Sequence, residues 1–206
     1  MVALALAACG PAVPGGPPDA GPMHDASTEL KACAAAASGE VQSAQALVER
    51  LNALPKPTTV ACFLASLPRP LDLVATISVT SAQPAAGRMS PRLFLLGTGL
   101  VISVVPAGEG AKLIELGEWV TPTRTLKGEL ELPLTGPLPL DAPFVKVAQP
   151  NGTSTCGLCH RAEAPHDTLS GAYVSAAFRP NPGEELKLSE VRALHQACVE
   201  AGEVTE

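Results

Sequence analysis

Aromatic residues are scarce in this chain: one Trp, one Tyr and four Phe among 206 residues. A core without many rings must be built from Leu, Val, Ile and Ala. Phe63, Phe94, Phe144, Phe178 and Trp119 are its few large anchors. Basic residues are also few and scattered, with 14 Lys and Arg against 20 Asp and Glu and a net charge of −6. That excludes the clustered cationic face on which nucleic-acid binding depends. Runs of about 18 apolar residues are missing, so no segment reads as a membrane-spanning helix. No G-x-S-x-G elbow and no H-E-x-x-H pair occur. Gly97-Thr98-Gly99 leads into a strand-like run without a following Lys-Ser/Thr, so it does not cradle phosphate. With no nucleophile–base arrangement legible, an enzyme is the least supported class.

Proline and glycine, by contrast, are plentiful (21 and 18 residues), which implies many turns between short elements. The length suits one compact domain with a small appended module. Residues 1–8 are almost wholly apolar and run into Leu6-Ala7-Ala8-Cys9-Gly10. This resembles the bacterial lipobox, in which small residues precede a cysteine that is diacylated and becomes the new N-terminus. The resemblance implies a signal remnant at 1–8 and lipidation at Cys9. It also implies an envelope location, on the periplasmic or outer-membrane face, with the membrane as partner through the acyl chains. The apolar run is short and lacks a basic leader, so the true translation start is expected upstream. A chance match in an Ala-rich start is the alternative. From Gly10 to Asp25 the chain is Gly/Pro-rich without hydrophobic periodicity. Residues 9–27 therefore read as a tether, with His24 a solvated loop histidine.

Residues 28–150 read as a helical lead-in followed by a β-rich scaffold. Ser27 or Thr28 caps a helix from Glu29, and Val41, Ala44, Leu47, Val48, Leu51 and Leu54 recur at helical spacing until Pro55 and Pro57. Thr59 to Leu67 is one or two further turns, or a strand. Cys33 and Cys62 in these pieces are expected to form a disulfide stapling a helical hairpin, as an oxidising compartment permits. From Leu71 the period changes to two. Leu73–Val79, Arg92–Leu96, Leu100–Val105, Lys112–Val120, Leu126–Leu132 and Phe144–Val147 are the strand candidates. Lys127, Glu129 and Glu131 are assigned to a solvated sheet face. The fold class is α+β, mainly β, with an antiparallel β-sandwich or partial barrel and a small helical module at 151–206.

Within that module Asn151-Gly152 makes a turn, and Ser154 or Thr155 caps the short helical turn Cys156-Gly157-Leu158-Cys159-His160. Two intervening residues place both sulfurs on one side of a turn, with an imidazole adjacent. Over these five residues the chain resembles the c-type cytochromes, whose C-x-x-C-H motif holds a covalent haem. The resemblance implies haem c on Cys156 and Cys159, with His160 as the axial iron ligand. No Met follows His160 to serve as a sixth ligand. His195, on an expected last helix from Leu188 to Glu200, is preferred for that role over His166. Two alternatives use the same thiols. Cys156, Cys159, His195 and Cys198 spell a structural zinc set, and a cofactor-free disulfide joins Cys198 to Cys156 or Cys159. The expected function is a membrane-tethered monohaem protein passing single electrons to redox partner proteins. The alternative is a non-enzymatic lipoprotein whose Cys/His cluster is structural, acting as a binding or structural module.

Overall fold

A computed structural model describes residues 26–36, 39–177, 179 and 181–200. Cys9, His24 and the tether up to residue 25 lie outside the described residues, while its last two residues, 26 and 27, begin a helix. Three helices come first: α1 (Ala26–Ala35), α2 (Ala44–Ala53) and α3 (Val60–Ala65). α1 begins ahead of Ser27 and Thr28, which fall inside it. Ser43 and Thr59 cap α2 and α3 by accepting the N–H of Ala46 and Cys62. The expected disulfide is present, joining Cys33 of α1 to Cys62 of α3.

Seven strands follow: β1 (Leu73–Thr76), β2 (Arg92–Leu96), β3 (Leu100–Val104), β4 (Leu113–Thr121), β5 (Arg124–Glu131), β6 (Ala164–Pro165) and β7 (Tyr173–Ala176). They form one antiparallel sheet in the order β1-β2-β3-β4-β5-β7-β6. The fold is α+β and mainly β. Helices, rather than a second sheet, cover its apolar face. Between β2 and β3 the turn needs its glycine, because a Cβ on Gly99 would lie 2.2 Å from the Gln42 carbonyl oxygen.

Two further helices complete the fold, α4 (Ala142–Val147) and α5 (Leu188–Glu200). The expected strand at Phe144–Val147 is therefore a helix. A four-residue, mostly apolar stretch does not distinguish the two, and Pro143 in the first turn favours the helix. The segment from 151 onward also differs from a small helical module, because β7 pairs with β5 and extends the sheet. No helix among the described residues is long and apolar enough to cross a membrane.

The two faces of the sheet have different partners. On one, Leu93, Leu95, Leu100, Ile102, Ile114, Leu126 and Leu130 pack in a single cluster with Leu47, Val48 and Leu51 of α2 and Phe63 of α3. Register puts Val74, Phe94, Ser103, Glu115 and Glu129 in one row across the other face. Leu96, Val101, Gly117, Lys127 and Tyr173 form the next. Glu131 fits the expected solvated face and pairs with Lys112 and Lys146. Lys127 does not: it is only 6% exposed. Residues after 151 lie over this face, so its middle faces a cleft instead of bulk water.

Candidate functional site

The motif turn is built locally. Residues Thr155–Leu158 form one 3₁₀ turn, with the Ser154 side chain accepting the Cys156 N–H at 3.1 Å. The Cys156 carbonyl accepts from the N–H groups of both Cys159 (3.1 Å) and His160 (2.9 Å). Glu163 closes the turn from below: Oε1 accepts the Ser154 N–H at 2.9 Å and Oε2 accepts the Ser154 hydroxyl. A Cβ on Gly157 would sit 2.7 Å from that carboxylate, so glycine is required for its approach. Glu163 escaped the sequence reading because nothing local ties a carboxylate to a cap so far upstream.

His160 is fixed by the sheet. Its Nδ1 lies 2.9 Å from the carbonyl oxygen of Ala176, at the end of β7, while Ala176 N–H donates to the Arg161 carbonyl. A carbonyl only accepts, so Nδ1 carries the proton and Nε2 the lone pair. Burial, then the neighbouring Lys127 charge, pushes the imidazole down to about 4 against the Ala176 contact, so it is neutral at pH 7. Arg124 braces the same loop, donating to the carbonyls of Ala162 and Val174 at 2.8 and 3.0 Å.

Both motif cysteines carry free thiols. Cys159 is exposed, whereas Cys156 is half-buried and its thiol is raised, chiefly by burial, so the protonated form is held. Beside them the cleft has two lobes that share Arg92, Glu115, Cys156 and His160. The larger, about 660 Å³, also takes in Cys159, Arg161 and Arg179. The smaller, about 260 Å³, reaches Lys127 and an apolar wall that includes Phe94, Leu96 and Trp119. Trp119 was expected in the core but is 38% exposed and lines this lobe. Arg92 is anchored by Ser103 at 2.9 Å and by Glu115, and Ser103 donates to buried Gln83 at 2.8 Å. Burial lowers Lys127 to about 8.

Comparison of the chain with protein families, curated proteins and solved structures gives no match. The site must therefore be read from its own chemistry.

The donor set suits a covalent haem. Two free thiols share one short turn, and the adjacent neutral imidazole has its proton committed to a backbone carbonyl. A ligating histidine needs its other ring nitrogen held in this way, because the hydrogen bond fixes the tautomer and the ring's orientation. The zinc set is not assembled: among the described residues no three of His, Cys, Asp and Glu are grouped as a metal site. Nor is Cys198 bonded to Cys156 or Cys159, since both are free while Cys198 carries no free thiol. His195 is half-buried on α5, whose inward face is Val191, Leu194 and Cys198, and it lines neither lobe. Neither lobe therefore brings His195 to the motif. His166 also lies outside the lobes; its Nδ1 accepts from the N–H groups of Thr168 and Leu169, each at 3.2 Å, which leaves the proton on Nε2.

Proposed function

We propose that this chain is an exported, membrane-tethered protein carrying one c-type haem on Cys156 and Cys159, with His160 as axial ligand. Its role is to pass single electrons to protein partners in the bacterial envelope. The observation that supports this most is the His160 Nδ1–H to Ala176 contact of 2.9 Å, because it presents a neutral imidazole with the lone pair on Nε2. A bound haem supplies one-electron chemistry at iron. The chain's own residues do the rest. Cys156 and Cys159 hold the group, the Ser154–Glu163 clasp orients the turn, and β7 fixes the imidazole. Apolar residues line one side of the cleft, and Arg161 and Arg179 of the larger lobe offer positive charge to carboxylates.

Expression in a host that matures c-type cytochromes tests the reading directly. The expected result is red protein with a pyridine haemochrome spectrum, and haem that stays on the chain in a denaturing gel. Cys156→Ser with Cys159→Ser should lose that band. Colourless wild-type protein from such a host would sink the proposal. The tether has a separate test. Mass analysis of the N-terminal peptide should find Cys9 carrying acyl chains, and an unacylated Cys9 rejects the lipid anchor.

A further inference from the structure

Buried polar groups normally find partners, because leaving one unpaired costs roughly 1–3 kcal/mol. Three buried side-chain oxygens lack one among the described residues: Glu115 Oε1, Thr125 Oγ1 and Ser175 Oγ. All three belong to the cleft-facing side of the sheet, where Thr125 pairs with Ser175 in register and Glu115 sits two residues from Gly117. Lys127, between them on β5, is buried and makes no hydrogen bond or ion pair among the described residues. Arg92 and Glu115 already neutralise one another through their ion pair. Glu185, at the rim of the smaller lobe, is exposed and screened by water. Lys127 is thus a buried charge on this wall without a bonded counter-charge among the described residues.

Opposite the polar end, the smaller lobe is lined by Val74, Phe94, Leu96, Val101 and Trp119. Leu96 and Trp119 are 46% and 38% exposed, large apolar groups left uncovered at a cavity mouth. At about 260 Å³ the lobe is smaller than sites for drug-sized molecules. It therefore asks for a short apolar body, an anion for Lys127 and a donor for Glu115 Oε1.

We infer that the smaller lobe binds a small apolar carboxylate carrying a hydrogen-bond donor beside the carboxylate. The carboxylate pairs with Lys127 and accepts from the Thr125 hydroxyl, the adjacent donor satisfies Glu115, and the apolar body lies on Phe94 and Trp119. Haem attachment is not a premise, since the residues that contact the ligand belong to the sheet; Cys156 and His160 border the same lobe, so the test uses haem-free chain.

Calorimetric titration of the full chain, expressed without c-type haem maturation, tests this with three probes. 3-Phenyllactate has carboxylate and donor, 3-phenylpropionate lacks the donor, and 3-phenylpropane-1,2-diol lacks the carboxylate. The expected order of affinity is the order given, with the diol weaker than phenyllactate by roughly 10- to 100-fold, the worth of a charged hydrogen bond. Lys127→Met should cut phenyllactate affinity by a similar factor and leave the diol unchanged, while Lys127→Arg retains binding. Folding of the Met variant is checked by its melting temperature, which should not fall, because the substitution removes an unpaired buried charge. In a colourless preparation the emission of Trp119, the chain's single tryptophan, reports the same lobe. No binding of phenyllactate, as when ordered water alone satisfies the orphan atoms, overturns the inference. Equal affinity for the diol, or a Met variant of undiminished affinity, does so as well. A chain that stays colourless in a host that matures c-type cytochromes and still binds phenyllactate fails the haem reading and upholds this one.

Discussion

At His160 the fold keeps an imidazole neutral by surrounding it with protein and placing Lys127 nearby. Unfolded, the ring titrates near 6.5; folded, at about 4. Between those values the unfolded chain binds more protons, so stability rises with pH across the window and is lost as pH falls through it. With its partial exposure discounted, the contribution is on the order of 2 kcal/mol. Urea unfolding of haem-free protein from pH 7 down to pH 4 should show that loss, and His160→Gln should flatten it. An unaltered slope in the variant would place the acid sensitivity in other groups. Residue identity was well marked here, since C-x-x-C-H is rare enough to single out Cys156, Cys159 and His160. What held them was not marked. Glu163, Arg124 and the Ala176 carbonyl reach the turn through contacts that no local pattern encodes.

Among the elements, the best-forecast were those with their own start and stop signals. Ser43 and the prolines after Leu54 bound α2, and α5 runs over Leu188–Glu200 as its periodicity predicts; Thr59 to Leu67, left open between turns and a strand, is the helix α3 that Thr59 caps. α4 and β7 were misread or missed because four to six residues carry too little periodicity to separate helix, strand and loop. The helical layer has its own fastening. Cys33 and Cys62 close a loop with a sequence separation of 29, which by chain entropy stabilises the fold by about 3.5 kcal/mol. Replacing both with Ala should lower the unfolding free energy by that order in chemical denaturation. A change under about 1 kcal/mol would show that α3's packing, and not the crosslink, retains α1.

For the molecule as a whole, the decisive feature is that residues after 151 are part of the sheet. β7 pairs with β5, and the motif turn lies over Lys127 and Thr125. A chain ending at residue 150 leaves β5 as a bare edge and turns the orphan polar row to solvent. Such a truncation is expected to lose cooperative thermal unfolding and to bind apolar dyes. If it melts cooperatively near the full chain's midpoint, the C-terminal segment is a separable module. The sequence alone determined the class of the fold, most helices and strands, the Cys33–Cys62 crosslink and the five-residue motif. Each rests on signals spanning a few residues or on a simple cysteine pairing. Only the tertiary structure decided that the charges along β5 divide, Glu131 to solvent and Lys127 to a cleft. It alone set Trp119 at a cavity wall, and His195 and Cys198 apart from the motif thiols. A period of two says that alternate residues share a face; what covers that face depends on contacts between distant parts of the chain, which local pattern does not record.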